Sequence, residues 1–318
     1  MSGNKTICIT GIAGFIGSHT AEACLQKGWD VVGVDNFNTF YDPEIKRRNL
    51  AGFRDKIRFY EGDIRDAGLM KQLFRENRIN VVIHLAAMAG VRPSFQTPSL
   101  YVDVNLNGTN LVFRHAMEQG VEKILYASSS SVYGNAPKVP FAETDNIDHP
   151  ISIYAATKRA NEKQAKTWFS FAGIPMVGLR FFTVYGPRQR PEMAIHKFTR
   201  ALYQNEPIAL FGDGQTYRDY TYVDDIVAGI LSVEAIADGY DVVNLGESQT
   251  TTLIDLIRML EEITGQTADI RFQKMQKGDV DRTFAQIDLA REKYGYHPTT
   301  DMQTGLRRFV AWYQEAIL

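Results

Sequence analysis

Short apolar runs alternate with longer mixed segments over the first 180 residues of the chain. The short runs are rich in β-branched residues and have the length of strands, whereas the mixed segments have the length of helices. Strands that alternate with helices in this way indicate an α/β fold with a doubly wound parallel sheet. The predicted strands are residues 6–10, 30–34, 57–61, 80–84, 122–127 and 174–180, and the predicted helices are residues 14–27, 66–77, 101–119 and 152–172.

The alternation becomes irregular after Gly186-Pro187, where turn signals such as Gly212-Asp213-Gly214 appear. We therefore predict a first domain of residues 1–180 and a smaller α/β region of residues 181–318. Part of residues 221–240 is expected to return to the first domain. Apolar or amphipathic patterns in the second region cover residues 221–236, 251–264 and 302–316.

Composition and charge disfavour several classes of protein. An apolar content of 44% and a charged content of 23% are ordinary for a soluble globular enzyme, and a net charge of −2 gives no electrostatic case for nucleic acid or an anionic membrane. No apolar stretch approaches ~18 residues and the first residues lack a signal-peptide core, so a cytoplasmic location is expected. Cys8 and Cys24 are predicted to be reduced core residues, and no metal site is predicted.

A glycine-rich turn follows the first predicted strand and opens the first predicted helix, in the run Gly11-Ile12-Ala13-Gly14-Phe15-Ile16-Gly17. Strand, glycine turn and helix are the context of a dinucleotide fingerprint. Gly11 permits a tight turn, Gly14 lets the backbone approach a pyrophosphate, and Gly17 lets the helix pack on the sheet. The pattern predicts a Rossmann-type fold whose helix N-terminus faces the phosphates.

Acidic and small residues follow the next strands, where such sheets bind ligands. Asp35 ends the second strand, 18 residues past Gly17. A carboxylate there can bind an adenine ribose 2′-hydroxyl and repel a 2′-phosphate, so NAD is favoured over NADP. Asp63 follows the third strand and Leu85-Ala86-Ala87 follows the fourth, where small side chains would let a cofactor lie close to the backbone.

Tyr154 and Lys158 are four residues apart on a predicted helix and so share one face. A tyrosine pKa near ~10 is too high for a base at neutral pH, but a nearby cation favours the phenolate. The pair predicts a tyrosine acid/base whose pKa is lowered by Lys158. Upstream, the run from Ser128 to Ser131 puts hydroxyls at the end of the fifth strand, where they could bond a substrate alcohol or form a polar loop.

Taken together, these motifs resemble the extended short-chain dehydrogenase/reductase superfamily. They are the glycine motif, the acid after the second strand, His84-Leu85-Ala86-Ala87, the serine run and the Tyr154–Lys158 pair. Within it the chain resembles the nucleotide-sugar 4-epimerases. The resemblance implies a tightly held NAD and a catalytic set of Ser129, Tyr154 and Lys158. The implied cofactor contacts are Gly11, Gly14, Phe15, Ile16, Gly17, Asp35, Asn36, Asn38, Asp63, Ile64, Leu85, Ala86, Ala87, Asn105, Tyr154, Lys158 and Phe182.

The family's chemistry implies a role for each catalytic residue. Tyr154 as phenolate would take the proton of the sugar 4-hydroxyl while the C4 hydride passes to nicotinamide. Ser129 would bond the same oxygen, and Lys158 would lower the tyrosine pKa and hold the nicotinamide ribose. The 4-ketosugar would turn and take the hydride back on its other face, so one NAD serves repeated turnovers.

The second region also resembles the family, in residues 210–214 and 218–225. The resemblance implies that Arg218 pairs with the substrate pyrophosphate. It implies that Phe211 lines a uracil pocket and that Asp279 contacts the nucleotide ribose.

Residues 180–194, with residues 35–38 and 89–92, resemble UDP-glucuronate 4-epimerases in particular. Thr183 stands where galactose epimerases usually have Asn. A hexuronate carries a carboxylate at C5, which a planar guanidinium and hydroxyls can bind. The candidates are Arg190, Thr183 and Ser130, although Arg190 could instead form a surface salt bridge. Arg188 could serve the nucleotide or its own loop, and Arg92 is left without a role.

Several alternatives remain open at this point. A 4-epimerase of neutral sugars (UDP-glucose and UDP-galactose or their N-acetyl forms) is the main one. A 4,6-dehydratase is disfavoured because that family has an Asp-Glu pair where this chain has Ser130-Ser131. A non-catalytic NAD-binding scaffold would need none of the catalytic residues. The two helices 101–119 and 152–172 either pack only on the sheet or also form the interface of a homodimer.

Overall fold

The computed structural model describes residues 4–274 and 282–318. Seven of its strands form one parallel sheet, and six form three small two-stranded sheets. The strands in chain order are β1 (Thr6–Thr10), β2 (Asp30–Asp35), β3 (Arg58–Glu61), β4 (Val81–His84), β5 (Lys123–Ser129), β6 (Met176–Phe181), β7 (Thr183–Tyr185), β8 (Ile208–Phe211), β9 (Tyr217–Arg218), β10 (Tyr220–Tyr222), β11 (Tyr240–Leu245), β12 (Thr251–Thr252) and β13 (Ile270–Gln273).

Helices cover both faces of the large sheet and surround the small ones. They are α1 (Phe15–Gln26), α2 (Pro43–Ala51), α3 (Ala67–Glu76), α4 (Val91–Gln96), α5 (Pro98–Val102), α6 (Thr109–Glu118), α7 (Ile153–Ala172), α8 (Ala194–Gln204), α9 (Val223–Ile236), α10 (Leu253–Thr264), α11 (Asp288–Tyr294) and α12 (Met302–Ala316). Short 3₁₀ turns cover Arg54–Lys56 and Ser130–Tyr133, and a π-helical turn, Asp103–Gly108, joins α5 to α6.

The large sheet has the strand order β11-β6-β5-β4-β1-β2-β3. Strand β1, which lies inside the sheet between β4 and β2, is buried along its whole length because helices cover both faces. In the register, Thr10 lies opposite Val34 on one side and His84 on the other, so the strands end together at one edge. The predicted α/β fold with a doubly wound parallel sheet is confirmed, and ligands of such sheets bind at this edge.

Local sequence explains where the helix of Tyr154 begins and ends. The Ser152 hydroxyl accepts a hydrogen bond from the Ala155 amide at 3.0 Å, which caps the first turn of α7. Gly173 ends the helix in the left-handed conformation, with φ of 72°. The predicted helix 152–172 therefore differs from the observed one by a single residue.

Three features were not predicted from the sequence. Helices α2 and α4 are short and lack a long apolar period, and the predicted helix 101–119 is interrupted by the π-helical turn. Strand β11 adds a seventh strand beside β6, where Tyr240 pairs with Met176. Part of residues 221–240 was expected to return to the first domain, and helix α9 from that segment packs against α1. The division of the chain at residue 180 stays a prediction.

Among residues 4–274 and 282–318, no helix has both the length and the apolar character needed to cross a membrane.

Candidate active site

A cleft opens where the strands of the large sheet end. It brings together most of the site residues predicted from the sequence, although they come from distant parts of the chain. The predicted residues that line it are Gly11, Gly14, Phe15, Ile16, Gly17, Asp35, Asn36, Asn38, Asp63, Ile64, Leu85, Ala86, Ala87, Ser129, Tyr154, Lys158, Phe182 and Arg190.

The glycine turn has the geometry expected of a pyrophosphate site. Gly11 has φ of +70°, and a Cβ there would lie 2.8 Å from the Ala86 amide nitrogen, so a larger residue would strain the turn. The Gly14 amide donates to Gly11 at 3.0 Å, and α1 begins at the next residue. The first amides of α1 have no partner within the helix and face the cleft, which fits a bound dinucleotide phosphate.

Asp35 is held rigidly at the end of β2. Its carboxylate accepts hydrogen bonds from the Ala13 amide at 3.0 Å and the Phe37 amide at 2.9 Å. Burial raises its pKa, and the nearby Lys46 ammonium and these amides oppose that shift. The ammonium of Lys46 is fixed in turn by a 2.7 Å bond to the Asn38 carbonyl. Asp35 thus presents an acceptor where an adenosine ribose would lie.

Asp63 lies at the same end of the cleft. Arg65 donates to both of its carboxylate oxygens at 2.9 Å, and Asn36 donates to one of them at 2.9 Å. The Arg65 hydrogen bond, the largest of several, lowers the pKa of Asp63. The carboxylate is therefore an ionised acceptor at neutral pH.

Tyr154, Lys158 and Ser129 meet at the opposite end. The Tyr154 hydroxyl forms a hydrogen bond with the Ser129 hydroxyl. The Lys158 ammonium lies 5.9 Å from the centre of the Tyr154 ring and donates to the Ala127 carbonyl at 2.9 Å. A phenol, an alcohol and a cation therefore converge on one point of the cleft, as proton transfer to or from a bound alcohol requires.

The electrostatics of this trio are dominated by burial. Burial raises the pKa of Tyr154, and the groups that oppose the rise are Ser129 through its hydrogen bond and Arg190 through its charge. Burial also lowers the pKa of Lys158 to about 8. Desolvation penalises the charged forms of both side chains and so works against the predicted lowering of the Tyr154 pKa by Lys158, which stays a prediction.

A second layer of buried polar groups supports the cleft from below. His84 bonds Thr10 at 2.7 Å and Thr109 at 2.9 Å through its two ring nitrogens, and burial lowers its pKa to about 3, which keeps it neutral. Asn105 accepts from the Met88 amide at 2.8 Å and donates to the Met88 carbonyl at 3.0 Å. Asn105 therefore holds the segment after β4 in place, and its predicted contact with the cofactor stays a prediction.

Arg190 enters the cleft from the loop after β7. Its Nε lies 3.1 Å from the Glu192 carboxylate, and its guanidinium lies 5.9 Å from the Phe40 ring. Both carboxylate oxygens of Glu192 are buried, and within the described part of the chain they have no hydrogen-bond partner beyond this ion pair. The surface salt bridge considered for Arg190 is thus an ion pair at the edge of the cleft.

Arg188 anchors the loop that carries Arg190. Its guanidinium donates to both oxygens of Glu22 on α1, at 2.8 and 2.9 Å. The neighbouring Pro187 carbonyl bonds the His19 ring at 2.9 Å. Arg188 has φ of +65°, a strained value for a residue other than glycine that these contacts maintain.

Two other uronate candidates, Thr183 and Ser130, directly follow the cleft-lining residues Phe182 and Ser129. Thr183 on β7 pairs with Tyr220, and its amide donates to the Asp219 carbonyl at 3.0 Å. Ser130 begins the 3₁₀ turn after β5.

A second cavity lies next to the small sheets, and its lining includes Gly212, Asp213 and Arg282. Phe211 ends β8 beside this cavity, and the Arg92 guanidinium lies 5.1 Å from its ring, which gives Arg92 a place. Arg218 ends β9 and donates to the Tyr217 carbonyl at 2.9 Å. Asp279 lies outside the described residues.

Sequence reasoning missed several residues that line the cleft. Phe40, Tyr41 and Lys46 come from the segment around the start of α2, and Met193 precedes α8. The Asp42-Pro43 pair is a helix-start signal that would have placed the first three beside the end of β2. Within residues 4–274 and 282–318, no group of His, Cys, Asp and Glu could hold a metal ion.

Comparisons with known proteins agree with this geometry. A family model described as the NAD dependent epimerase/dehydratase family matches residues 7–246. UDP-glucuronate 4-epimerase 4 of Arabidopsis thaliana is 43% identical over 327 residues, which cover 97% of this chain and 75% of that protein.

Two solved structures superpose closely on the chain. UDP-glucuronic acid 4-epimerase from Bacillus cereus, in complex with UDP-glucuronic acid and NAD, has a TM-score of 0.92 and 34% identity, over 98% of this chain and 99% of that one. UDP-glucose 4-epimerase from Thermotoga maritima, with UDP-glucose, has a TM-score of 0.92 and 33% identity, over 98% of this chain and 100% of that one. The predicted resemblance and the predicted NAD cofactor are confirmed: the chain belongs to the NAD-dependent epimerase/dehydratase family.

Proposed function

We propose that this protein catalyses the NAD-dependent C4 epimerisation of a UDP-hexuronate, the interconversion of UDP-glucuronate and UDP-galacturonate. The observation that carries the proposal is Arg190, whose guanidinium lines the same cleft as Tyr154 and Lys158. Because Arg190 lines the same cleft as the trio, its guanidinium can bind a carboxylate on a sugar held there by charge-assisted hydrogen bonds. The 43% identity to an Arabidopsis protein named for this activity supports it.

A 4-epimerase of neutral UDP-sugars is the second candidate. The Thermotoga maritima structure named for UDP-glucose superposes as well as the Bacillus cereus structure named for UDP-glucuronic acid. The fold therefore serves both substrate classes. The choice between them depends on how a side chain such as Arg190 treats the group at C5.

Each side chain of the trio has a proposed step. Tyr154 accepts the proton of the sugar 4-hydroxyl and returns it after the sugar has turned, and Ser129 bonds the same oxygen throughout. Lys158 provides positive charge beside the phenolate and a donor for the cofactor ribose. Bound NAD supplies the acceptor and the donor for the hydride at C4.

The carboxylate adds a constraint that a neutral sugar lacks. Oxidation of a uronate at C4 gives a β-keto acid, which loses CO₂ when its bond to the carboxylate stands perpendicular to the carbonyl plane. We propose that Arg190, with hydroxyls from Thr183 and Ser130, holds the carboxylate out of that alignment. Charge-assisted hydrogen bonds have the strength and direction for this.

The test is an assay of the purified protein with UDP-glucuronate and UDP-glucose side by side. We expect the 4-epimer of the uronate and little or no change of UDP-glucose, with no net formation of NADH. Tyr154→Phe provides the background rate. Preferential turnover of UDP-glucose would favour the neutral-sugar candidate, and bound NAD without turnover of either sugar would favour a non-catalytic scaffold.

We further propose a homodimer formed through α6 and α7. Phe171 on α7 is 83% exposed, and its ring packs against Trp168 at 6.0 Å. Phe95 and Val102 are also exposed apolar residues, on α4 and α5. A second copy would remove this apolar surface from water. Light scattering should report a dimer for the wild type and a shift towards monomer for Phe171→Glu.

A cytoplasmic location is proposed as well. Cys8 and Cys24 are both buried and unpaired, as is usual in a reducing compartment. Fractionation of cells that express the tagged protein would test this proposal.

A further inference from the structure

A buried carboxylate connects the helix of Tyr154 and Lys158 to the neighbouring strands. Glu162 lies one turn beyond Lys158 on α7, and it is 1% exposed. Arg180 on β6, itself 3% exposed, donates from Nε to one carboxylate oxygen at 2.8 Å and from Nη2 to the other at 3.0 Å. The pair is bidentate and shielded from water, which makes it rigid.

The same carboxylate reaches the strand that ends in Ser129. The Ser128 hydroxyl donates to Glu162 at 2.7 Å, and Ser128 is 2% exposed. On its other side, Arg180 donates to the Tyr133 hydroxyl at 2.8 Å, and Tyr133 closes the 3₁₀ turn that follows the serines. One carboxylate thus fixes the end of β5 directly and the turn after it through Arg180.

Two anchors on α7 therefore hold two consecutive residues of β5. The Lys158 ammonium donates to the Ala127 carbonyl at 2.9 Å, and Glu162 accepts from Ser128. Because residues four apart share one face of a helix, Lys158 and Glu162 both bind β5 from the same face of α7. The helix can neither slide along β5 nor rotate against it without breaking one of them.

We propose that Glu162 is a positioning residue that sets the Tyr154 hydroxyl against the Ser129 hydroxyl. This inference rests on the proposed epimerase function. The catalytic trio is divided between two elements, with Tyr154 and Lys158 on α7 and Ser129 on β5, so their relative position needs a connection. A displacement of about 1 Å at such a site can cost ~10²-fold in rate.

The network is better explained by positioning than by stability alone. Replacing a buried ion pair by apolar residues of similar size is often neutral or stabilising, whereas removing one partner leaves an uncompensated charge. A variant that loses both charges can therefore keep the fold and lose only the relative position of the Tyr154 and Ser129 hydroxyls. This difference makes the proposal testable.

The experiment compares two double variants. Glu162→Met with Arg180→Met removes the network at the site. Lys5→Met with Glu234→Met removes an ion pair between the residue before β1 and α9, away from the trio. Glu234 is 1% exposed, so each double variant loses a buried carboxylate. Melting temperature, bound NAD, kcat, KM and the pH profile of kcat are measured for both.

We expect the site variant to keep its NAD and its KM within about twofold while kcat falls ~10–100-fold, with the limb that reports Tyr154 moved to higher pH. The control should keep its kcat within about twofold. A folded, NAD-loaded site variant with the kcat of the control would overturn the proposal.

Two further outcomes are kept distinct. If the site variant does not fold, Ser128→Ala removes only the link to β5; a several-fold loss of kcat with NAD retained supports the proposal, and an unchanged kcat overturns it. If the wild type turns over neither UDP-glucuronate nor UDP-glucose, the proposed function fails, and this inference fails with it. If the wild type turns over either sugar, the comparison of the two double variants decides whether Glu162 positions Tyr154.

Discussion

The two sides of the cleft are built in different ways. On the cofactor side, the lining residues follow strands of one parallel sheet and are held by hydrogen bonds from neighbouring strand-end turns, as Asp35 is by Ala13 and Phe37. On the substrate side, residues come from loops between two-stranded sheets, and single ion pairs such as Arg188–Glu22 hold them.

The difference shows how each side can vary. A sheet edge fixes many residues at once, so the cofactor side is insensitive to any one surface contact. An ion pair that is partly exposed stabilises its loop by about 1 kcal/mol or less. The substrate side can therefore change its specificity through a few residues while the cofactor side stays constant.

The largest effect is expected at the trio. Tyr154→Phe should keep the fold and the bound NAD while kcat falls by roughly 10²–10⁴-fold or more, because the general base is lost. Tyr203→Phe, at a hydroxyl that accepts from Gln314 on the far side of the protein, is the control. Near-normal turnover by the Tyr154 variant would remove the tyrosine from the mechanism.

A smaller but more selective effect is expected at Arg190. Arg190→Ala should raise KM for UDP-glucuronate or slow its epimerisation by ~10²-fold, and should release CO₂ and a UDP-4-keto-pentose with NADH left on the enzyme. Turnover of UDP-glucose should change much less. The matched control is Arg200→Ala on α8, where the Arg200 side chain forms an exposed ion pair with Glu206. If Arg190→Ala changes the kinetics of UDP-glucuronate and UDP-glucose equally, the proposal of a uronate substrate loses its support.

On the cofactor side, Asp35 should decide between NAD and NADP. Asp35→Ala should weaken NAD binding and reduce the preference over NADP by ~10-fold, because a carboxylate repels a 2′-phosphate. Asp35→Asn keeps an acceptor for the Ala13 amide and separates the loss of charge from the loss of the turn. Equal affinities of the wild type for NAD and NADP, measured by titration calorimetry, would contradict this role.

The smallest effect is expected at the loop anchor. Glu22→Gln weakens the bidentate pair with Arg188 and should raise KM for UDP-glucuronate a few-fold while the NAD content stays unchanged. Glu44→Gln, which breaks an exposed pair with Arg47, controls for the loss of a surface charge. If NAD retention falls and KM does not rise, the pair serves the cofactor side, and the two sides of the cleft are not held independently.

The sequence predicted the cofactor side well because its signals are local. The glycine run, Asp35 and the Tyr154–Lys158 spacing each lie within one turn or at one strand end, and register then brings them together. The structural support could not be predicted in the same way. The Glu162–Arg180 pair joins two elements, and the Arg188–Glu22 pair joins residues 166 apart, so no local pattern reports either contact.

Burial also limits prediction from spacing. The helical register placed Lys158 near Tyr154, but it did not show that both side chains are desolvated, which raises the pKa of Tyr154 and lowers that of Lys158. Asn105 lies on the π-helical turn and accepts a hydrogen bond from the Met88 amide, a tertiary contact that no local sequence pattern shows.

The π-helical turn fixes how many residues the segment between α5 and α6 must contain. A π turn contains about one residue more than an α turn. Since each helical residue advances the chain by about 100°, losing one residue from Asp103–Gly108 would rotate α5 against α6 by that angle. Either Asn105 would leave Met88 and Thr157, or the packed face of α6 would turn towards solvent. Deletions here should therefore be far rarer among functional descendants of this gene than substitutions, although the segment is helical and carries no catalytic group.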